Sequence, residues 1–184
     1  LRQQALADVI ELRLDDIGNP GRARMAAFVQ AVKKPVIVAC HGPEAFGTRE
    51  HDPGDVCELL QDAAVAGARF VDVDWQLALE LVEVKPPCHR IVSRHVLEGT
   101  PTDLAAAHEE VREVLGEGDI TKIVAHARSC EDGLRLLAWL RTTRGVVSVS
   151  PGEKGAFTRL LAPVFGSPFT YCASAVGPGD EPAP

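Results

Sequence analysis

The feature that most constrains this chain is the alternation of short β-branched runs with segments of helical spacing. Seven runs read as strands: 9–15 (VIELRLD), 35–40 (PVIVAC), 70–75 (FVDVDW), 89–95 (HRIVSRH), 119–126 (DITKIVAH), 145–150 (GVVSVS) and 169–173 (FTYCA). Six segments between them read as helices: 21–32, 52–68, 76–84, 102–115, 129–143 and 157–165. Asp52-Pro53 is a helix start, with aspartate capping and proline at the first position. Strict alternation of strand and helix predicts a parallel sheet covered by helices, an α/β fold. A doubly wound sheet and a (β/α)8 TIM barrel both satisfy it. Polar residues recur at the C-terminal ends of most strands, which favours the barrel, because barrels place their active sites there. No GxGxxG or P-loop follows a strand, so a nucleotide-binding sheet lacks its fingerprint. The expected barrel domain covers 1–175. The Gly- and Pro-rich tail, 176–184, is expected to be a mobile active-site loop or linker.

Composition narrows the function classes. The chain has 184 residues and a net charge of −7, and no basic stripe offsets that charge, which argues against a nucleic-acid partner. No apolar run approaches the roughly 20 residues that span a bilayer, so no membrane partner is expected. Five cysteines are dispersed without a CxxC pair. They read as reduced thiols of a cytoplasmic protein, not as a disulfide frame or a metal site.

One strand breaks the rule that a buried strand is apolar. Lys122 stands near the centre of DITKIVAH, and Ile120, Lys122, Val124 and His126 share a face. Burying an ammonium group is costly, and a neutral amine is a nucleophile that forms Schiff bases with ketones and aldehydes. A snorkelling or ion-paired lysine is the competing reading. Within their own strands, the same alternation makes Glu11, Arg13 and Asp15 share a face, Asp72 and Asp74 share a face, and Ile91, Ser93 and His95 share a face. An interior charged triplet is expensive unless its members pair. Gly152, Gly155 and Arg159 follow GVVSVS. An amine, an imidazole, guanidinium groups and carboxylates at one end of a barrel suit proton abstraction beside a Schiff base on an anionic small-molecule substrate.

These residues carry a resemblance. Six motifs occur in order: ELRLD (11–15), VDVD (71–74), IVSRH (91–95) with Thr100-Pro101, DITKI (119–123), GEKGAFTR (152–159) and FGS (165–167). Together they resemble type I 3-dehydroquinate dehydratase, the Schiff-base lyase of the shikimate pathway. That resemblance implies a (β/α)8 barrel, usually a homodimer, that needs no metal or cofactor. It implies that Lys122 is the Schiff-base lysine, His95 the general acid and base, and Arg159 the group that grips the substrate carboxylate. It implies that Glu11 and Arg13 bind substrate hydroxyls and order the pocket. Asp74 stands where the family has a glutamate that orients the histidine. His41 stands where the family has an arginine, Pro151 where it has a methionine, and Thr158 where it has a serine. The family's lid glutamine would follow Pro184, and its first strand and last helix have no counterpart in this sequence. The expectation is therefore a piece of a longer polypeptide, with fusion to further domains open. A Schiff-base aldolase acting on a phosphorylated sugar and a non-catalytic ligand-binding homologue are the alternatives.

Overall fold

The computed structural model describes residues 6–81 and 84–172. Six parallel strands form its sheet: β1 (Ile10–Arg13), β2 (Val36–Ala39), β3 (Phe70–Asp74), β4 (His89–Val96), β5 (Ile120–Ala125) and β6 (Val146–Val149). Their order in the sheet is their order in the chain. A doubly wound sheet reverses its order at a switch point. This one does not, which leaves the barrel type of α/β fold.

The chain divides into two compact units, Leu1–Ser93 with Val114–Ile120, and Arg94–Glu113 with Thr121–Pro184. In the first unit β1 to β3 pair in parallel with the start of β4. Every residue of β2 is buried, the signature of a strand covered on both faces. Helices α1 (Leu14–Ile17), α2 (Arg22–Ala31) and α3 (Pro53–Val65) belong to this unit. The start of α3 follows from its sequence: Pro53 occupies the first turn and the Asp52 carboxylate accepts the Gly54 N–H at 2.9 Å.

In the second unit β5 and β6 pair in parallel, with Lys122 beside Val147 and Val124 beside Val149. Its helices are α4 (Leu104–Arg112), α5 (Cys130–Thr142) and α6 (Phe157–Leu161). Ser129 caps α5 in a reciprocal box with Asp132. Leu136, Leu137 and Leu140 recur at helical spacing on the buried face of α5.

Four expected elements differ, the helix expected over 157–165 among them: α6 ends at Leu161 and turns follow to Gly166. The run 9–15 is not one strand: β1 ends at Arg13 and a helical turn follows, because the Asp15 carboxylate folds back onto the Arg13 guanidinium. The helix expected over 76–84 is a string of turns up to Leu81. Arg90 Nη1 donates to the Ala78 and Leu81 carbonyls at 2.6 and 3.0 Å, taking acceptors that a helix would need. No strand forms over 169–172, where side chains rather than a ladder take the backbone groups. The expected lid, 176–184, lies outside the described residues.

Candidate active site

The first unit gathers the acidic and guanidinium candidates. Strand register puts Glu11, Arg13, Asp72, Asp74 and Ser93 on one face of the sheet. For Arg13 the cost is met by pairing with Asp15. Arg13 donates Nε and Nη2 to the two oxygens of Asp15 at 2.9 and 2.6 Å, and Nη2 also reaches the Phe46 carbonyl at 3.2 Å. Asp15 is fully buried. Burial alone would raise its carboxyl, yet the Arg13 guanidinium and the backbone N–H of His41 hold it below the ordinary aspartate range. The same residue's carbonyl accepts from Thr48 Oγ1 at 2.7 Å.

Together these contacts pin the turn 41–48. That turn is so tight that a Cβ on Gly47 would sit 1.8 Å from the His41 carbonyl oxygen. His41 is buried by it, and its Nε2 lies 3.7 Å from Asp72 Oδ1. Asp74 ends β3 and accepts the Gln76 N–H at 2.9 Å. Burial pushes its carboxyl up, against the pull of that N–H and of His41. Arg13 thus helps hold the turn 41–48 through Asp15 and the Phe46 carbonyl.

The second unit gathers the amine, an imidazole and a guanidinium. Lys122 is the third residue of β5 and only 6% exposed. Lys33, Lys85 and Lys154 are exposed and Lys34 is half-buried, so Lys122 is the one buried lysine of the chain's five. His95 sits near the end of β4, two residues beyond Ser93, with its imidazole half-buried.

Arg159 lies in α6 and donates Nη1 to the Tyr171 carbonyl at 3.2 Å. The turn between β6 and α6 carries the glycine signature read from the sequence. Gly152 has φ +88°, and a Cβ on Gly155 would lie 2.4 Å from the Ser150 carbonyl oxygen. Thr158, fully buried, accepts the Ser150 N–H at 2.9 Å and donates to the Gly155 carbonyl at 2.7 Å. Its hydroxyl fastens the turn that presents Arg159, which a serine hydroxyl could do equally.

Sequence reasoning missed Tyr171. Its ring stands over Lys122 Nζ, 4.7 Å from centroid to nitrogen. Nothing in the spacing of the chain ties position 171 to position 122. His126, expected to share a face with Lys122, falls one residue beyond β5 and gives its backbone N–H to the Val96 carbonyl at 2.9 Å. Among the described residues no group of three or more His, Cys, Asp or Glu side chains is placed to hold a metal ion. No helix of the described residues is long and apolar enough to cross a membrane. All five cysteines are free.

A profile of the Type I 3-dehydroquinase family matches residues 2–183. The 3-dehydroquinate dehydratase of Methanothermobacter thermautotrophicus is 34% identical over 178 residues, which cover 96% of this chain and 79% of that protein. The crystal structure of the 3-dehydroquinate dehydratase from Aquifex aeolicus VF5 superposes with a TM-score of 0.78 at 27% identity, covering 94% of this chain and 82% of that one. A dehydroquinate dehydratase and shikimate dehydrogenase from S. pombe shares the fold, with a TM-score of 0.67 at 22% identity over 90% of this chain and 35% of that one.

Proposed function

The chain belongs to the Type I 3-dehydroquinase family and dehydrates 3-dehydroquinate in the shikimate pathway; we propose that it does so through a Schiff base on Lys122. The observation that carries this reading is the burial of Lys122 in the middle of β5 while the chain's other four lysines stand at or near the surface. A lysine is rarely buried unless it is paired or has a task.

The steps follow from the residues. The Lys122 amine attacks the ketone carbon, and His95 moves the protons of carbinolamine formation. Loss of one water leaves an iminium, which draws electrons from the adjacent carbon and acidifies its C–H. His95 takes that proton, giving a neutral enamine. The enamine expels the neighbouring hydroxyl, which leaves as water with the proton that His95 returns. Hydrolysis of the product iminium consumes one water, releases 3-dehydroshikimate and frees Lys122. The balance is one substrate to one product and one water.

Arg159 grips the substrate carboxylate in the planar, two-point manner that a guanidinium allows. Glu11 and Arg13 bind the substrate hydroxyls, with Arg13 fixed by Asp15. His41 takes the place of the family's arginine as a further substrate contact, and Asp74 orients the general base. A positioned acid–base group contributes about 10²- to 10⁴-fold, so the iminium supplies much of the remaining acceleration.

The enzyme is proposed to work in the cytoplasm as a homodimer on this anionic small molecule. The free cysteines support a reducing compartment, and the family resemblance supports the dimer. The fold shared with the S. pombe protein supports fusion to a further shikimate-pathway domain as an arrangement open to this chain. The test is turnover of 3-dehydroquinate, followed by the absorbance of the conjugated product. Lys122→Ala should abolish it. Full turnover in that variant would refute the assignment.

A further inference from the structure

The ring of Tyr171 faces Lys122 Nζ at 4.7 Å, and the backbone carbonyl of the same residue accepts Arg159 Nη1 at 3.2 Å. One residue therefore touches the lysine with its side chain and the arginine with its main chain. The segment that carries it is tied down. The Ser148 N–H donates to Ser167 Oγ at 3.4 Å, and that hydroxyl donates to the Phe169 carbonyl at 2.7 Å. The Phe169 ring then meets Tyr171 edge-on at 5.7 Å, a geometry that fixes an aromatic pair.

We propose that Tyr171 is a positioning residue for the Schiff-base chemistry, its ring forming the cation-holding wall beside Lys122 Nζ while its carbonyl sets Arg159. The inference rests on Lys122 being the reacting lysine.

The face of an aromatic ring attracts a cation within about 6 Å of its centroid. Attack by the neutral amine gives a carbinolamine with no charge on nitrogen, which takes up a proton and loses one water to become the cationic iminium. The ring therefore favours the iminium over the carbinolamine and raises the share of covalent enzyme held in the reactive form. A leucine at 171 fills similar apolar space without the face, whereas a phenylalanine keeps the face without the hydroxyl. The carbonyl that accepts Arg159 survives either change, so the grip on the substrate carboxylate is retained.

The experiment compares wild type, Tyr171→Phe and Tyr171→Leu, with Tyr171→Met as a second ring-less variant should the leucine protein not fold. For each, kcat and KM are measured, and the fraction of enzyme trapped by borohydride at saturating 3-dehydroquinate is read by intact mass. Tyr171→Leu should lower kcat by about 2- to 30-fold, the span of a cation–π contact, and lower the trapped fraction, with KM little changed. Tyr171→Phe should retain the wild-type trapped fraction. An adduct in wild type that is undiminished in the ring-less variants overturns the role of Tyr171 alone. So does a ring-less variant whose loss lies in KM. No adduct in wild type overturns the Lys122 assignment, and this inference with it.

Discussion

Asp15 is the most informative position to perturb in the first unit. Its carboxylate is fully buried and meets Arg13 at 2.9 and 2.6 Å. The Arg13 side chain is 28% exposed, so the pair lies between two limits. Breaking a fully buried pair costs about 3–5 kcal/mol, and a surface pair is worth about 0–1 kcal/mol. Asp15→Asn keeps the shape and removes the charge, and should cost ~2–3 kcal/mol on these limits. For a chain of this length each kcal/mol lowers Tm by about 2–4 °C, which gives a drop of about 4–12 °C.

The pH dependence fixes the sign independently. A carboxyl held below its unfolded value binds fewer protons folded than unfolded, so stability rises with pH through that interval. The contribution is complete above the unfolded value, near pH 4, and is lost as pH falls through the folded value below it. Urea titrations of wild type, Asp15→Asn, Arg13→Met and the double variant measure the coupling. The acid loss of stability should be shallower in Asp15→Asn, and the double variant should cost less than the two singles added. Additive singles, or an Asp15→Asn cost below ~0.5 kcal/mol, the scatter between independent sites, would refute the pairing argument.

Three further outcomes follow from the same contacts. Thr158→Val removes the acceptor of the buried Ser150 N–H and should cost about 1–3 kcal/mol in urea unfolding, whereas Thr158→Ser should remain close to wild type. Asp74 has the opposite sign to Asp15: its folded carboxyl is raised by burial, so what it contributes is present at acid pH and lost as pH rises through the raised value. Asp74→Asn should therefore be at least as stable as wild type at pH 7 and lose that advantage below about pH 4, by denaturant titration at both pH values, while turnover falls. His95→Ala should slow turnover by about 10²- to 10⁴-fold in the absorbance assay and still form an adduct, since the lysine remains.

What the sequence disclosed depended on how local the signal was. The Asp52-Pro53 cap, the helix over 129–143 and the pairing of Glu11 with Arg13, and of Asp72 with Asp74, on a face of their own strands are properties of neighbouring residues and were legible, whereas the register that brings the two strands' residues to one face of the sheet was not. Lys122 was legible because a charge inside an apolar strand contradicts its surroundings. The end of β1 was not, since LRLD alternates as a strand would, and the turn at Leu14 depends on Asp15 finding Arg13. The turns before Leu81 depend on Arg90, which also holds Asp119 in an ion pair at 2.5 Å. Phe169 and Tyr171 are strand formers by type, but they answer to a serine hydroxyl and an arginine. That Tyr171 faces Lys122 is a product of the fold and has no trace in spacing.

The central claim is that Lys122 carries the substrate. Full-length enzyme turning over 3-dehydroquinate is treated with borohydride, digested and mapped by mass spectrometry. The account predicts one adduct, of the reduced substrate or product imine, on the peptide containing Lys122, and none on those containing Lys33, Lys34, Lys85 or Lys154. An adduct on any of those four, or turnover without an adduct on Lys122, would contradict it.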